Sequence, residues 1–371
     1  MSQFPVNYSD ILSLIDAVDP IAYGKSRNFV NGAVTRLSPY ISRGVISTKQ
    51  VYERLLAKGY QKEKMVTLIR ELAWRDFFQQ VARVKDVLTD VRNVQEKVAS
   101  SLLSEAIMNA TTGVESLDNA INDLYKNGYV HNHQRMYLAS VICNVAQTSW
   151  KQPAQWMYYH LLDGDIASNH LSWQWVCGCF SSKKYYANQE NVNHYSGTNQ
   201  HSTFLDVSYE EFPALSIPDV LKSRVELQLT TPLPTSFEVK IDPILPTLIY
   251  NYYNLDPQWY ANEKANRILL LEPSVFAKFP VSAQCIDFCL AISNNIEGLQ
   301  IFVGDFSDLQ QYANGSPIIF KEHPLNKHYK GVEESRDWLV PEVNGYFSSF
   351  FNYWKQVSVK MAVSDHERKA H

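Results

Sequence analysis

Apolar residues recur at steps of three and four through most of the first 180 positions. In 62–84, KEKMVTLIRELAWRDFFQQVARV, the residues Met65, Leu68, Ile69, Leu72, Ala73, Phe77, Val81 and Val84 share one face, a period that predicts a helix. The stretch 116–130, SLDNAINDLYKNGYV, predicts a second helix with Gly128 as its C-cap. HNHQRMYLASVICNVAQTSW (131–150) reads as a third and PAQWMYYHLL (153–162) as a fourth, opened by Pro153 in its first turn. No strand alternation of useful length interrupts them. After residue 205 the pattern breaks: prolines 213, 218, 232, 234, 243 and 246 rule out long helices, so 206–262 reads as an extended linker. Beyond it, RILLLEP, LQIFVGDF and PIIFKEHP are short strand-like runs, with a helical SAQCIDFCLAISNNI between the first two, a βαβ pattern. The expected class is mainly α: a helical domain over 1–205, the proline-rich linker, and a small C-terminal α/β layer over 263–371 ending in a frayed polar tail, SDHERKAH.

Composition narrows the function classes. The chain has 371 residues, 45% apolar and 19% charged, values of a globular protein rather than a disordered one. No apolar run approaches the roughly 18 residues of a membrane helix, and MSQFPVNYSD has no basic region before an apolar stretch, so the expectation is a cytoplasmic protein with no membrane partner. Net charge is -4, unevenly spread: residues 1–200 hold 20 Lys+Arg against 17 Asp+Glu, and 201–371 hold 14 against 21. The first half is therefore the better candidate for an anionic partner. Aromatics at 13% suit an aromatic-lined pocket as well as a large helical core. The five cysteines, 143, 177, 179, 285 and 289, have no zinc or iron–sulfur spacing and read as reduced, buried thiols, so no metal is expected.

Candidate chemistry concentrates in LLDGDIASNHLSWQW (161–175). Asp163 and Asp165 around Gly164 would bind a metal, cap the following helix, or accept hydrogen bonds from a heterocycle. TRLSP (35–39) sets the Thr35 and Ser38 hydroxyls before a helix, suited to a phosphate or to ordinary capping. Arg75 follows Glu71 by four residues, an ion-pair spacing on a helix surface, yet Trp74 lies between them in an apolar stretch. Asn132, Arg135 and Met136 fall on one helical face, where a buried Arg needs a partner; Asp163 is the natural one.

RNFVNGAVTRLSPYISRGVIS (27–47), RELAWRDFF (70–78) and GYVHNHQRM (128–136), followed by DGDIASN and WQW, resemble in order the signatures of the photolyase/cryptochrome family. The resemblance covers roughly residues 20 to 190, the family's helical FAD-binding domain, and implies a short member without the N-terminal α/β antenna domain. It implies noncovalent FAD held by Tyr23, Thr35, Ser38, Arg75, Asn132, Arg135, Asp163, Asp165 and Asn169, with Arg27 helping to enclose it. Asn169 matches the position beside flavin N5, and Asp165 the acceptor of the N3–H. Glu71, Trp74, Asn132, Met136 and Trp175 match residues facing the lesion, and Met136 matches the enzymes acting on cyclobutane pyrimidine dimers. Met136 as core filler and Asn169 as a helix cap are the plain alternatives. Trp173 and Trp150 match the inner two of three electron-transfer tryptophans; the distal one has no counterpart, since 76–149 contain no Trp. Arg43, Lys183 and Lys184 would touch phosphates. Val34, Leu68 and the HLS at 170–172 depart from the family pattern. The implied activity is a lyase reaction: light-driven repair of cyclobutane pyrimidine dimers by electron transfer from excited reduced FAD, on UV-damaged DNA, single-stranded at least as well as duplex, by a monomer. The alternative is a cryptochrome-like blue-light photoreceptor without repair activity.

Overall fold

The computed structural model describes residues 4–235, 238–313 and 315–363; the SDHERKAH tail lies outside the described residues. The main helices of the first half are α1 (Tyr8–Asp16), α2 (Thr48–Ala57), α3 (Val66–Val84), α4 (Glu115–Asn127), α5 (Asn132–Ser140), α6 (Lys151–His160), α7 (Ile166–Cys177) and α8 (Gln189–Ser196). They are followed by β1 (Thr247–Tyr250), β2 (Asn266–Leu271), α9 (Ala283–Ser293), β3 (Leu299–Val303), α10 (Phe306–Ala313), β4 (Ile318–Lys321), β5 (Val332–Glu334) and α11 (Phe350–Met361). Among the described residues no helix is long and apolar enough to cross a membrane. The fold is thus predominantly helical with a parallel α/β part.

The chain forms two units: residues 1–24, 35–84 and 230–371 in one, 25–34 and 85–229 in the other. This division differs from the expected boundary at 205, because helices α1 to α3 group with the sheet. Tyr40 links these parts, donating its hydroxyl to the Pro5 carbonyl at 2.8 Å while its ring lies 6.0 Å from that of Phe288 on α9. The proline-rich linker also contains β1, the central strand of the sheet.

In this first unit the five strands are all parallel, in the order β3-β2-β1-β4-β5. Ile249, Ile268, Leu270, Phe302 and Phe320 share a core with Phe306 and Leu309 of α10. The strand order reverses between β1 and β4, the place where open α/β sheets leave a crevice at their carboxyl ends. Here that end carries stacked rings: Tyr253, just after β1, lies 4.0 Å from His323, just after β4. Arg43 is 0% exposed, with its guanidinium 3.5 Å from the Tyr252 ring centroid. The expected contact of Arg43 with DNA phosphate is therefore corrected: its charge is spent on aromatic faces inside the unit. Gly44 allows this approach, since a Cβ there would sit 2.4 Å from the Tyr253 carbonyl oxygen and its φ is +64.

A second correction concerns Trp74 on α3. The ring expected to stack on a lesion stacks instead on Phe350 of α11, with centroids 3.7 Å apart and planes 9° from parallel. Phe77 packs edge-on against the same Phe350 ring at 5.8 Å, so the aromatic ridge of α3 serves as the seat for α11.

Between these features Asp76 is buried. Its carboxylate accepts from the Leu339 N–H at 2.8 Å and from the Thr48 hydroxyl at 3.1 Å. Burial outweighs these donors and the nearby Arg336 charge, and pushes its pKa from 3.8 up to about 6. The folded state thus binds this proton more tightly than the unfolded chain does. Asp76 favours folding below pH 3.8, and that contribution is lost as pH rises through about 6. Asp76→Asn should remove roughly 3 kcal/mol of this pH dependence. Denaturant unfolding of both proteins across pH 4 to 7 checks it: their stability difference should change through this window, and a constant difference would refute the assignment.

Candidate functional site

The second unit builds its site around the turn between α6 and α7. Gly164 has to be glycine: a Cβ would meet the Tyr158 carbonyl oxygen at 2.8 Å and that of Leu161 at 2.9 Å. The tight turn, closed by the Gly164 N–H donating to the Leu161 carbonyl at 2.9 Å, sends Asp163 and Asp165 into the interior, 6% and 4% exposed. On α4, Gly128 forms the left-handed C-cap read from sequence, φ 63, and its carbonyl accepts from the Leu162 N–H at 2.8 Å. The turn is thereby tied to the loop that leads into α5.

Asp163 meets Arg135 of α5 at 2.9 Å. The Arg135 Nε donates to the Val130 carbonyl at 2.8 Å, which fixes the plane of the guanidinium, and Tyr129 lies 5.4 Å from it. With the Asp163 side chain 3% exposed and that of Arg135 21% exposed, the pair is held largely out of water. Asp165 is the N-cap of α7, accepting from the Ser168 N–H at 2.8 Å, so the helix-cap reading is realised. Asn169, one turn into α7, donates its amide to the Ala154 carbonyl at 2.8 Å, while the cap of α7 is Asp165. Asn132 is exposed at the start of α5, and Met136 is half-buried against the core of the unit.

Buried tryptophans stand behind these residues. Trp150 is fully buried; its indole N–H donates to Asp90 at 2.7 Å and its backbone N–H to Gln95 at 2.9 Å. Trp173 is 2% exposed. Between the two tryptophans of WQW, the buried Gln174 amide donates to the carbonyls of Val87 and Thr89 at 3.0 Å, while its oxygen accepts from the Val91 N–H at 2.9 Å. Sequence reading missed Asp90, Gln95 and Gln174. Asp90 and Gln95 lie in a polar loop without periodicity, 60 and 55 residues from Trp150, and leave no local signal. His170 packs edge-on against Trp150 at 5.8 Å, and burial lowers its pKa to about 4, so it is a neutral ring at physiological pH. His133 and His160 are lowered to about 4 as well, again chiefly by burial.

Trp175, by contrast, is 36% exposed, with its ring 6.0 Å from that of Tyr185. Lys183 is exposed nearby in sequence, and Lys184 donates to the Glu96 carbonyl at 3.1 Å. Of the remaining expected residues, Arg27 belongs to the second unit and Tyr23, Thr35, Ser38, Glu71 and Arg75 to the first. Tyr23, Thr35 and Ser38 are half-buried there, Ser38 opening the short helix Ser38–Ser42. Arg75 donates to the Ser42 hydroxyl, and Glu71 is half-buried one turn earlier on α3.

The second unit thus presents the N-terminus of a twelve-residue helix, two buried carboxylates, an anchored guanidinium and a side-chain amide. The Ser168 hydroxyl, also buried there, has no hydrogen-bond partner among the described residues. This donor and acceptor set fits the edge of a flavin ring, which offers carbonyl oxygens and one ring N–H. A metal fits less well: among the described residues no three His, Cys, Asp or Glu side chains are arranged to hold one.

The family model described as the FAD binding domain of DNA photolyase matches residues 68–206. A deoxyribodipyrimidine photo-lyase from Streptomyces griseus is 34% identical over 149 residues, 39% of this chain and 32% of that protein. A cryptochrome DASH from Danio rerio is 29% identical over 168 residues, 42% of this chain and 32% of that protein. Among solved structures, a cryptochrome from Synechocystis is 22% identical with a TM-score of 0.44, covering 52% of this chain and 44% of that one. The chain spans about a third of the length of the curated relatives it matches. Residues 68–206 thus match the FAD binding domain of DNA photolyase, their donor set fits a flavin, and the cofactor is FAD.

Proposed function

We propose that this protein repairs cyclobutane pyrimidine dimers in DNA by light-driven electron transfer. The observation that supports this most is Trp175: an indole more than a third exposed, at the carboxyl half of the helix whose other end bears Asp165 and Asn169. An exposed indole is an expensive surface group, and base stacking is its commonest use in proteins that bind single-stranded or extruded nucleotides. When bound in its reduced form, FAD would supply the photo-excited electron donor for splitting the dimer. The protein's part is positional. Arg135 and Asp163 would hold the flavin edge, Asp165 would accept its ring N–H, and Asn169 would set the polarity beside it. Trp175 would stack on the extruded dimer, Asn132 would hydrogen-bond its carbonyls, and Lys183 would meet the backbone.

A second reading, a blue-light photoreceptor of the cryptochrome kind, is favoured by the stacking of Phe350 on Trp74, which removes one expected lesion contact. Its acidic 201–371 segment would then face a protein partner.

Two outcomes are expected. Arg135→Ala should lose most of its FAD, because Asp163 is left buried and unpaired, a penalty of roughly 3–5 kcal/mol; flavin absorbance per protein after purification measures it, and full retention would count against the pocket. Fully reduced protein under blue or near-UV light should restore dimer-containing oligothymidylate, single-stranded at least as well as duplex. Trp175→Ala should lower that yield by one to two orders of magnitude, about 1–3 kcal/mol of lost stacking, with FAD still bound. No repair of either substrate by the wild type would leave the photoreceptor reading in its place.

A further inference from the structure

Three of the five cysteines meet in the second unit. Cys143, Cys177 and Cys179 are each at most 1% exposed and share one hydrophobic core with Trp150 and Trp173. Gly178 ends α7 in the left-handed conformation, φ 86, and curls the chain so that the sulfurs of Cys177 and Cys179 stand 3.4 Å apart. Cys143 belongs to the π-helical turn Val141–Val145 that follows α5, and its contact with Cys177, ahead of burial, pushes the Cys177 thiol pKa up. Cys179 is pushed up by its contact with Cys177, then by burial and by Asp90 beside it. Asp90 is also the carboxylate that accepts the Trp150 indole N–H at 2.7 Å. The loop that carries Asp90 is pinned to Cys179, whose carbonyl accepts from the Arg92 and Asn93 N–H groups at 3.1 Å, so an indole, a carboxylate and a pair of thiols lie together. In addition, Cys177 lies one helical turn beyond Trp173 on α7.

Protonated, buried thiols are poor substrates for peroxides and disulfides, which need an exposed thiolate. One-electron oxidation by a neighbouring aromatic radical has no such requirement. We propose that Cys177 and Cys179 are an internal two-electron donor, delivering electrons through Trp150 and Trp173 and protons through Asp90, and ending as a disulfide. The proposal rests on the reading that the two tryptophans conduct electrons to the flavin. The oxidant is photo-excited, oxidised flavin. One electron leaves Trp150, whose indole proton passes to Asp90; a thiol then restores the indole with an electron and a proton and becomes a thiyl radical. Asp90 passes the indole's proton on to water and then takes the proton of the neighbouring sulfur, 3.4 Å away, as that sulfur bonds to the thiyl. The resulting disulfide radical anion is a strong reductant and gives up the second electron. In all, two S–H bonds break and one S–S bond forms. Both protons leave through Asp90 to water, two electrons reach the flavin, and the flavin takes one proton from solvent, so that one proton is released net. This supplies what reduced FAD requires without the distal tryptophan that the sequence lacks.

The test uses the FAD-loaded, oxidised wild-type chain under blue light, without oxygen and without added thiol. Flavin absorbance gives the electrons taken up. Denaturation, alkylation and peptide mass analysis then count the thiols. The expected result is one disulfide per flavin reduced, with two of the five cysteines lost and the peptide spanning Cys177 and Cys179 lighter by two hydrogens. Cys177→Ser and Cys179→Ser should each abolish reduction under these conditions, and added dithiothreitol should restore it. Reduction of the wild type with all five thiols intact would overturn the proposal, as would reduction only when dithiothreitol is present. Should dithiothreitol fail to support photoreduction in the wild type, the tryptophan relay itself is wrong and the donor falls with it. The wild-type thiol count decides the matter even if a serine variant folds poorly.

Discussion

The ion pair between Arg135 and Asp163 is the constraint on which the second unit's site depends. A carboxylate 3% exposed is stable as an anion only if a fixed cation and good geometry offset its desolvation. The chain arranges this with backbone devices. Gly164 permits a turn too tight for any side chain, and Gly128 ends α4 where the turn's backbone can dock. The Val130 carbonyl aims the guanidinium. Asp165 then serves a different purpose from Asp163, since the same turn that buries it also makes it the cap of α7. Two carboxylates two residues apart therefore hold one helix and one arginine, and in doing so define a polar edge at a helix N-terminus, where the helix dipole adds partial positive charge.

In the first unit the parallel sheet has the strand order of a nucleotide-binding fold, with its reversal between β1 and β4. Fold order alone does not make a site. The strands flanking the reversal end in the stacked rings of Tyr253 and His323, and Arg43 is packed over Tyr252 beside them. A basic side chain that reads from sequence as a DNA contact is thus an internal packing element. The covering of Trp74 by Phe350 has the same character: a residue type suited to a ligand has been taken up by the protein's own C-terminal helix.

Much of this was legible in the sequence, and the reasons are local. The helical period of 66–84, the glycine cap at 128 and the short apolar runs of β2, β3 and β4 are signals carried within a few residues. The DGD turn and the pairing of Arg135 with Asp163 were legible because motif spacing and the cost of burying a lone arginine point the same way. What stayed hidden depends on distant partners. β1 is only four residues, directly after Pro246, and gains its strand character from neighbours on both sides; β5 is largely exposed and has no apolar pattern at all. The π-helical turn after α5 replaces what reads as continuous helix. Phe350 is 276 residues from Trp74 in sequence, and Asp90 is 60 from Trp150; neither contact has a local signature. Conversely, the recognised motifs were legible for their chemistry, while the structure supplies which of their side chains are spent on packing.

The measurement that bears most directly on the central claim is a double-mutant cycle on the pair, reading FAD dissociation constants for the wild type, Arg135→Ala, Asp163→Ala and the variant with both changes. If the two residues act as one unit holding the flavin, each single change should weaken FAD binding strongly, and the double variant should be little worse than either, a coupling of about 2 kcal/mol or more. Independent, additive losses, or FAD binding that survives both changes, would contradict the assignment of this pair as the cofactor anchor.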